Sequence, residues 1–203
     1  GVNENLPSFR KENGVNVIRA NIPFKNKKGY INKALSQLFS IPTLYKLYKS
    51  YINIKVDIII VYTPPLPLGL IGILFKKLYK SKFLLNIQDI FPQNAIDLGV
   101  IKNKYIIKFY ELLETYIYKN ADLISTHTSG CRDFIKAKNN IDQEKIITIN
   151  NWIDVTKYKE NYVKSTYLEN ISLSNKFVII SAGIIGPSQN LSLIVEIAEN
   201  ISD

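Results

Sequence analysis

The sequence predicts an α/β fold with a doubly wound parallel sheet, and three observations carry that expectation. Five apolar runs, beginning at Asp57, Phe83, Ala121, Lys145 and Lys176, each break into Pro, Gly, Asn, Asp, Ser or Thr. A helical pattern follows most of them, which is the alternation of βαβ units around a parallel sheet. The composition is that of a chain with a buried core, 46% hydrophobic and 21% charged.

Taken in order, residues 15–22 alternate as a strand does, and residues 26–29 read as a polar turn. Residues 31–51 carry Leu35, Leu38, Phe39, Leu44, Leu47, Tyr48 and Tyr51 near helical spacing, with Pro42 expected to kink or split the helix. From Ile58 to Phe75 there is no charge over eighteen residues, long enough to cross a membrane. Three prolines within residues 64–67 and the β-branched run at 58–61 favour a buried strand, a loop and a helix over 68–79 instead. Gly69 and Gly72 would let that helix pack closely on the sheet. The pattern then gives a strand at 83–87 and a helix at 103–119 with the stripe Ile106, Ile107, Tyr110, Leu113 and Ile117. A strand at 123–126, a helix at 128–138 and a strand at 145–149 follow. Residues 155–175 are polar and irregular, a connection between domains. A strand at 177–181 and a helix at 188–201, capped by Ser188, open a second domain. The expected division is 1–154, 155–175 and 176–203.

The net charge of +9 is concentrated. Residues 25–82 hold eleven lysines against the single acid Asp57, together with Tyr30, Phe39, Tyr45, Tyr48, Tyr51, Phe75 and Tyr79. Lysines mixed with aromatics suit an anionic membrane surface more than a nucleic acid backbone, and a plain solvated face is the bland alternative. One cysteine, Cys131, excludes an internal disulfide, and with the single histidine His127 it cannot build a Cys/His zinc site. No clustered carboxylates suggest a metal.

Ligands of open parallel sheets bind at the carboxyl ends of the strands, so the junctions hold the candidate residues. Ser181-Ala-Gly183-Ile-Ile-Gly186 precedes a helix and can cradle a phosphate, or can be a plain tight turn. Asp89, beside Gln88, can accept a hydrogen bond from a sugar hydroxyl, or can cap the next helix. Thr63-Pro64-Pro65 makes a rigid turn that can wall a pocket, or can be a turn and nothing more. His127 can meet a phosphate or hydroxyl, or be structural, and Ser129-Gly130 can bind an anion or cap a helix. Cys131 reads as a packing residue.

The segments Tyr62-Thr-Pro-Pro-Leu-Pro-Leu-Gly-Leu, Asn86-Ile-Gln-Asp-Ile-Phe-Pro-Gln-Asn-Ala-Ile-Asp-Leu-Gly and Asn120-Ala-Asp-Leu-Ile recur in order with three more. Those are Ser129-Gly-Cys-Arg-Asp, Asn151-Trp-Ile-Asp154 and Ala182-Gly-Ile-Ile-Gly-Pro-Ser-Gln-Asn-Leu191. Together they resemble the family 4 glycosyltransferases, retaining enzymes of GT-B fold. They are similar in particular to bacterial O-antigen and capsule members of the fucosamine-transferase type. The resemblance implies two Rossmann-like domains, the second represented here by its first strand and helix, and transfer of a hexosyl or N-acetylhexosaminyl group. It implies a UDP- or GDP-linked sugar donor, with no separate cofactor, and a lipid-linked saccharide acceptor. Gly183, Gly186, Gln189 and Asn190 would lie near the donor diphosphate. Gln88 and Asp89 would lie near the reacting sugar, where many relatives carry His-Asp. The glutamine departs from that pattern and argues for hydrogen bonding at 88 rather than proton transfer. Thr63, Pro64, His127, Ser129 and Asn151 fall on the acceptor side, and no metal is implied.

The family's first strand would precede Gly1 and its paired donor-binding glutamates would follow Asp203, so a chain of this extent is expected to be inactive alone. The resemblance places the protein in a bacterial cytoplasm, peripheral at the inner face of the plasma membrane, where the lysine-rich 25–82 region would dock. A nucleotide-sugar epimerase of the same fold is one alternative, and a non-catalytic membrane-surface module is another. A dehydrogenase would want Gly-x-Gly-x-x-Gly after the first strand, which is absent.

Overall fold

The computed structural model describes residues 8–23, 30–52, 54–158, 166–171, 173 and 176–201. The turn expected at 26–29 and much of the 155–175 connection lie outside them. The chain forms two units, Gly1–Asn151 and Trp152–Asp203.

The first unit begins with a hairpin of β1 (Phe9–Glu12) and β2 (Val15–Ile18), paired antiparallel from Phe9 opposite Ile18 to Glu12 opposite Val15. Asn13 and Gly14 both have positive φ, 48° and 85°, as a two-residue hairpin turn requires. One strand is new here and one expectation changes. The charged run Phe9-Arg-Lys-Glu is a strand although it lacks an apolar alternation, and the 15–22 strand ends at Ile18 because its partner runs out at Phe9. Arg19 closes the open end, its N–H on the Ser8 carbonyl at 2.8 Å and its guanidinium 2.7 Å from Glu12.

Helix α1 (Tyr30–Tyr51) runs as one helix through Pro42, so the expected split does not occur. Pro42 removes one backbone donor. Ile41, Leu44, Tyr45 and Tyr48 pack against the core on both sides of it and hold the two halves together. Much of the aromatic content of the lysine-rich stretch is used this way. Tyr48 meets Phe75 edge-on at 4.8 Å and Phe75 stacks on Tyr79 at 5.6 Å.

The 58–75 run folds as β3 (Ile58–Thr63), a 3₁₀ turn at Leu66–Leu68 and α2 (Gly69–Tyr79). No helix among the described residues is long and apolar enough to cross a membrane. The chain continues through β4 (Lys82–Ile87), the short α3 (Gln93–Asp97), α4 (Lys104–Asn120), β5 (Leu123–Thr126), α5 (Ser129–Asn139) and β6 (Ile146–Thr148). The four strands form a parallel sheet in the order β3-β4-β5-β6, flanked by helices, which is the expected α/β architecture. Val61, Phe83, Leu85, Ile87, Ile124 and Ile146 face the core beneath α2, α4 and α5.

The two expected glycines differ in use. A Cβ on Gly72 would stand 2.4 Å from the Phe83 ring, so this glycine brings α2 onto the sheet. A Cβ on Gly69 would stand 2.4 Å from Ile117, so that one brings α2 against α4 rather than the sheet. In the α4 stripe Ile117 is fully buried, but Ile106 is 47% exposed near the helix start. Asp122 ties β5 to its neighbours. Its carboxylate accepts the Phe83 N–H at 2.7 Å and pairs with Lys76 Nζ at 2.8 Å. Burial alone would raise its pKa, but the Lys76 ammonium and the Phe83 N–H outweigh that and hold it below the usual carboxylate range.

The second unit contains α6 (Tyr167–Asn170), a 3₁₀ turn at Pro187–Gln189 and α7 (Leu191–Asn200). Residues 177–181 do not form a strand. A strand is defined by its ladder, no described neighbour pairs with this segment, and Phe177 is 94% exposed. The helix expected from Ser188 begins at Leu191, because Asn190 turns left-handed at φ 43° and interrupts it. Ser188 does not cap it and instead donates to Gln189 Oε1 at 2.9 Å.

Candidate functional site at the strand ends

The parallel register brings the carboxyl ends of β3, β4 and β5 to one edge, with the chain leaving β6 beside them. The Thr63 carbonyl accepts the Gln88 N–H at 2.9 Å, and the Thr126 carbonyl accepts the Ile149 N–H at 2.8 Å. Polar side chains collect there because β4 carries Asn86 and β5 ends in Ser125 and Thr126, with Asn86 and Ser125 opposite each other in register.

Four side chains form a continuous chain of hydrogen bonds. Asn86 donates to Ser125 Oγ at 3.0 Å, and Gln88 donates to Asn86 Oδ1. Asn151 donates to Gln88 Oε1 at 3.1 Å. Ser125 and Asn86 are buried, Gln88 is half-buried and Asn151 is exposed, so the chain runs from the sheet to solvent. Gln88 is thereby fixed at both ends of its amide. Sequence reasoning named Gln88 and Asn151 and missed Asn86 and Ser125. The available signal was the polar residues near the carboxyl ends of both strands, Asn86 in β4 and Ser125 with Thr126 in β5.

Asp89 is exposed, and its carboxylate makes no hydrogen bond or ion pair to a described residue. It does not cap α3, whose N-terminal position is Pro92 and carries no side-chain cap. Thr63 is buried at the end of β3, and Pro64 is exposed at the start of the loop beyond it. His127 is half-buried, with Nδ1 enclosed and without a partner among the described residues. Ser129 opens α5 but does not cap it. Thr128 does, its hydroxyl accepting the Cys131 N–H at 3.1 Å. Cys131 is half-buried on α5. Thr63, Gln88, Asp89, His127 and Asn151 thus share one edge, and only Gln88 and Asn151 are bonded to each other through side chains.

In the second unit Gly183, Gly186, Gln189 and Asn190 lie on the exposed segment before α7. Neither glycine has positive φ, and a Cβ on Gly183 would touch nothing. A Cβ on Gly186 would come 3.2 Å from the end of the flexible Gln189 side chain. The local fold therefore does not require glycine at 183. Asp154 accepts the Thr156 hydroxyl at 2.6 Å and its N–H at 3.0 Å, and these bonds lower its pKa.

No family model matches the chain. Over 133 residues it is 27% identical to a Pseudomonas aeruginosa protein named "Probable glycosyltransferase WbjE", a match that covers 64% of this chain. The aligned part is 32% of that relative, so the chain spans about a third of its length. The likeness supports a glycosyltransferase in general terms and joins a parallel α/β sheet whose strand ends gather polar side chains.

Proposed function

We propose that the chain is part of a glycosyltransferase of GT-B type and family 4. It would move a sugar from a UDP- or GDP-linked donor to a lipid-linked saccharide, with retention at the anomeric carbon, in bacterial surface-polysaccharide synthesis. The observation that carries this is the 133-residue likeness to a protein named as a glycosyltransferase. The polar edge of the sheet supports it, because that edge is where an open parallel sheet receives its ligand.

Glycosyl transfer needs the leaving diphosphate stabilised and the reacting sugar held. Gly183 and Gly186 precede α7, whose first backbone N–H groups can carry anionic charge. A glycine the fold does not require fits a backbone that must approach a phosphate closely. In this reading Gln189 and Asn190 flank the diphosphate. Gln88, held by Asn86 and Asn151, donates or accepts at a sugar hydroxyl without moving a proton. Asp89, exposed and unpaired among the described residues, accepts from a sugar hydroxyl beside it. Thr63, Pro64, His127 and Ser129 line the acceptor side. The protein would work peripherally at the inner membrane face, docked by the lysine-rich 25–82 region.

The experiment is calorimetric binding of a panel of UDP- and GDP-sugars to the full-length protein, followed by NMR of the product anomer. Saturable binding of a nucleotide sugar and a retained configuration are expected. An inverted product would remove the retaining assignment, and binding of no member would remove the donor reading.

A further inference from the structure

Helix α4 carries a face that none of these roles absorbs. Tyr105, Phe109, Leu112 and Tyr116 are spaced by four, three and four residues, so they fall on one side of the helix. All four are exposed, from Tyr105 at 74% to Tyr116 at 45%. The opposite side is the packed one, where Glu114, Ile117 and Tyr118 are buried. Single apolar side chains on a surface are ordinary, but a row of large ones marks a contact surface. Leu98 and Val100, each 45% exposed, lie in the segment that leads into the helix.

Charge selects the occupant. The exposed charged residues of α4 are Lys104, Lys108 and Lys119, and the ion pairs among the described residues involve other groups. Of the helix's two carboxylates, Glu111 is half-buried, and Glu114 is buried against Lys138. By helical angle the three lysines border the row along one flank, where an anionic surface would meet them. Tyrosine at both ends suits a boundary between apolar matter and water, and lysine stems lie along apolar surface with their ammonium groups in the polar layer. This is the build of a helix that lies in a membrane interface. We propose that α4 is a membrane-docking helix. Its row from Tyr105 to Tyr116 sits among the headgroups of an anionic lipid surface, with the lysines beside the anionic groups. The site lies outside the lysine-rich 25–82 region and does not rest on the glycosyltransferase reading. A pocket of about 740 Å³ beyond the ends of β3 and β4 is lined both by Gln37 of α1 and by Ile106 and Tyr110 of α4. Helix α4 thus stands beside α1 and not across the sheet from it.

The test is co-sedimentation of the full-length protein with vesicles of phosphatidylcholine and phosphatidylglycerol, and with vesicles of phosphatidylcholine alone. The wild type should bind the mixed vesicles more strongly, with an affinity that falls as salt rises. Phe109→Ser with Leu112→Ser removes the middle of the row and should weaken that binding by about tenfold. Both residues are exposed on the side away from the core, so the urea midpoint should not move. Lys104→Glu with Lys108→Glu should weaken binding to the mixed vesicles and leave binding to phosphatidylcholine as it was. Lys46→Glu with Lys55→Glu, both exposed in the 25–82 region, reads that region's docking separately. Loss of binding in that variant, with wild-type binding by Phe109→Ser with Leu112→Ser, would overturn the proposal and leave the 25–82 reading standing. Equal binding to both vesicle types would overturn it as well. So would a dimer in sedimentation velocity that Phe109→Ser with Leu112→Ser dissolves, because a second copy would then cover α4. No arm reads sugar transfer, so this proposal and the enzyme reading fail independently.

Discussion

Gln88 is held from two directions, by Asn86 within its own strand and by Asn151 from the segment after β6. A glutamine amide fixed in this way presents a defined donor and acceptor face, which a free side chain would not. Asn151→Ala should release one end of it. The expected result is a fall of about tenfold in the rate of sugar transfer, because small misplacements of positioned groups are costly. Stability should change by less than about 0.5 kcal/mol, since Asn151 is exposed. Steady-state rates and urea unfolding read the two effects separately. The glycines make a complementary pair. Gly72→Ala drives a methyl into Phe83, which is fully buried, and should cost about 1–3 kcal/mol in urea unfolding. Gly183→Ala meets nothing and should leave stability within about 0.5 kcal/mol, while weakening nucleotide-sugar binding in calorimetry. The sequence showed Gln88, Asp89 and Asn151 because they sit at breaks in apolar runs. It did not show that Asn86 and Ser125 hold Gln88, because that depends on register between strands about forty residues apart.

Among the elements, α4 and α5 are joined by a buried ion pair. Glu114 is fully buried, and Lys138 Nζ stands 3.2 Å from its Oε2. Burial raises the Glu114 pKa, and Lys138 only partly offsets that. A carboxyl with a raised folded-state pKa holds its proton more tightly than in the unfolded chain. Its contribution is present at low pH and is lost as pH rises above the unfolded value of about 4.3. Lys138→Met leaves the carboxylate unpaired and should destabilise the protein by about 3 kcal/mol near neutral pH. The loss should shrink toward about pH 4 as Glu114 takes up a proton. Urea unfolding at both pH values checks this, and an equal loss at both would contradict it. Element positions in the sheet were legible because apolar runs at β3, β4 and β5 break into turn residues, and the run at β3 is β-branched as well. Three departures have physical causes. A charged strand was hidden in β1, tertiary packing carried α1 through Pro42, and the segment at 177–181 has no described partner with which to form a ladder.

At the scale of the whole molecule, the excess charge and the aromatics that accompany it separate. Tyr45, Tyr48, Phe75 and Tyr79 pack inward and Lys76 pairs with Asp122. Leu38, Phe39 and Tyr51 on α1 remain exposed at 43, 44 and 47%. Docking on a membrane would then rest on the exposed residues of α1 and the outward lysines. Co-sedimentation should show stronger binding to anionic than to neutral liposomes, weakened by salt. Equal binding to both would remove the membrane role. The α/β class was legible in the alternation of patterns. The pocket beyond the ends of β3 and β4 was not, because its walls come from three separate stretches, at Gln37, at 64–66 and at 91–110. The proposed place of sugar transfer is the edge where β3, β4 and β5 end. Its most direct measurement is release of nucleoside diphosphate and transfer of labelled sugar to a lipid-linked acceptor by the full-length protein and by Asp89→Asn. Transfer by the wild type and a loss of about a hundredfold in the variant, with unfolding unchanged, are expected. Wild-type rates in Asp89→Asn, or no transfer from any nucleotide sugar, would contradict it.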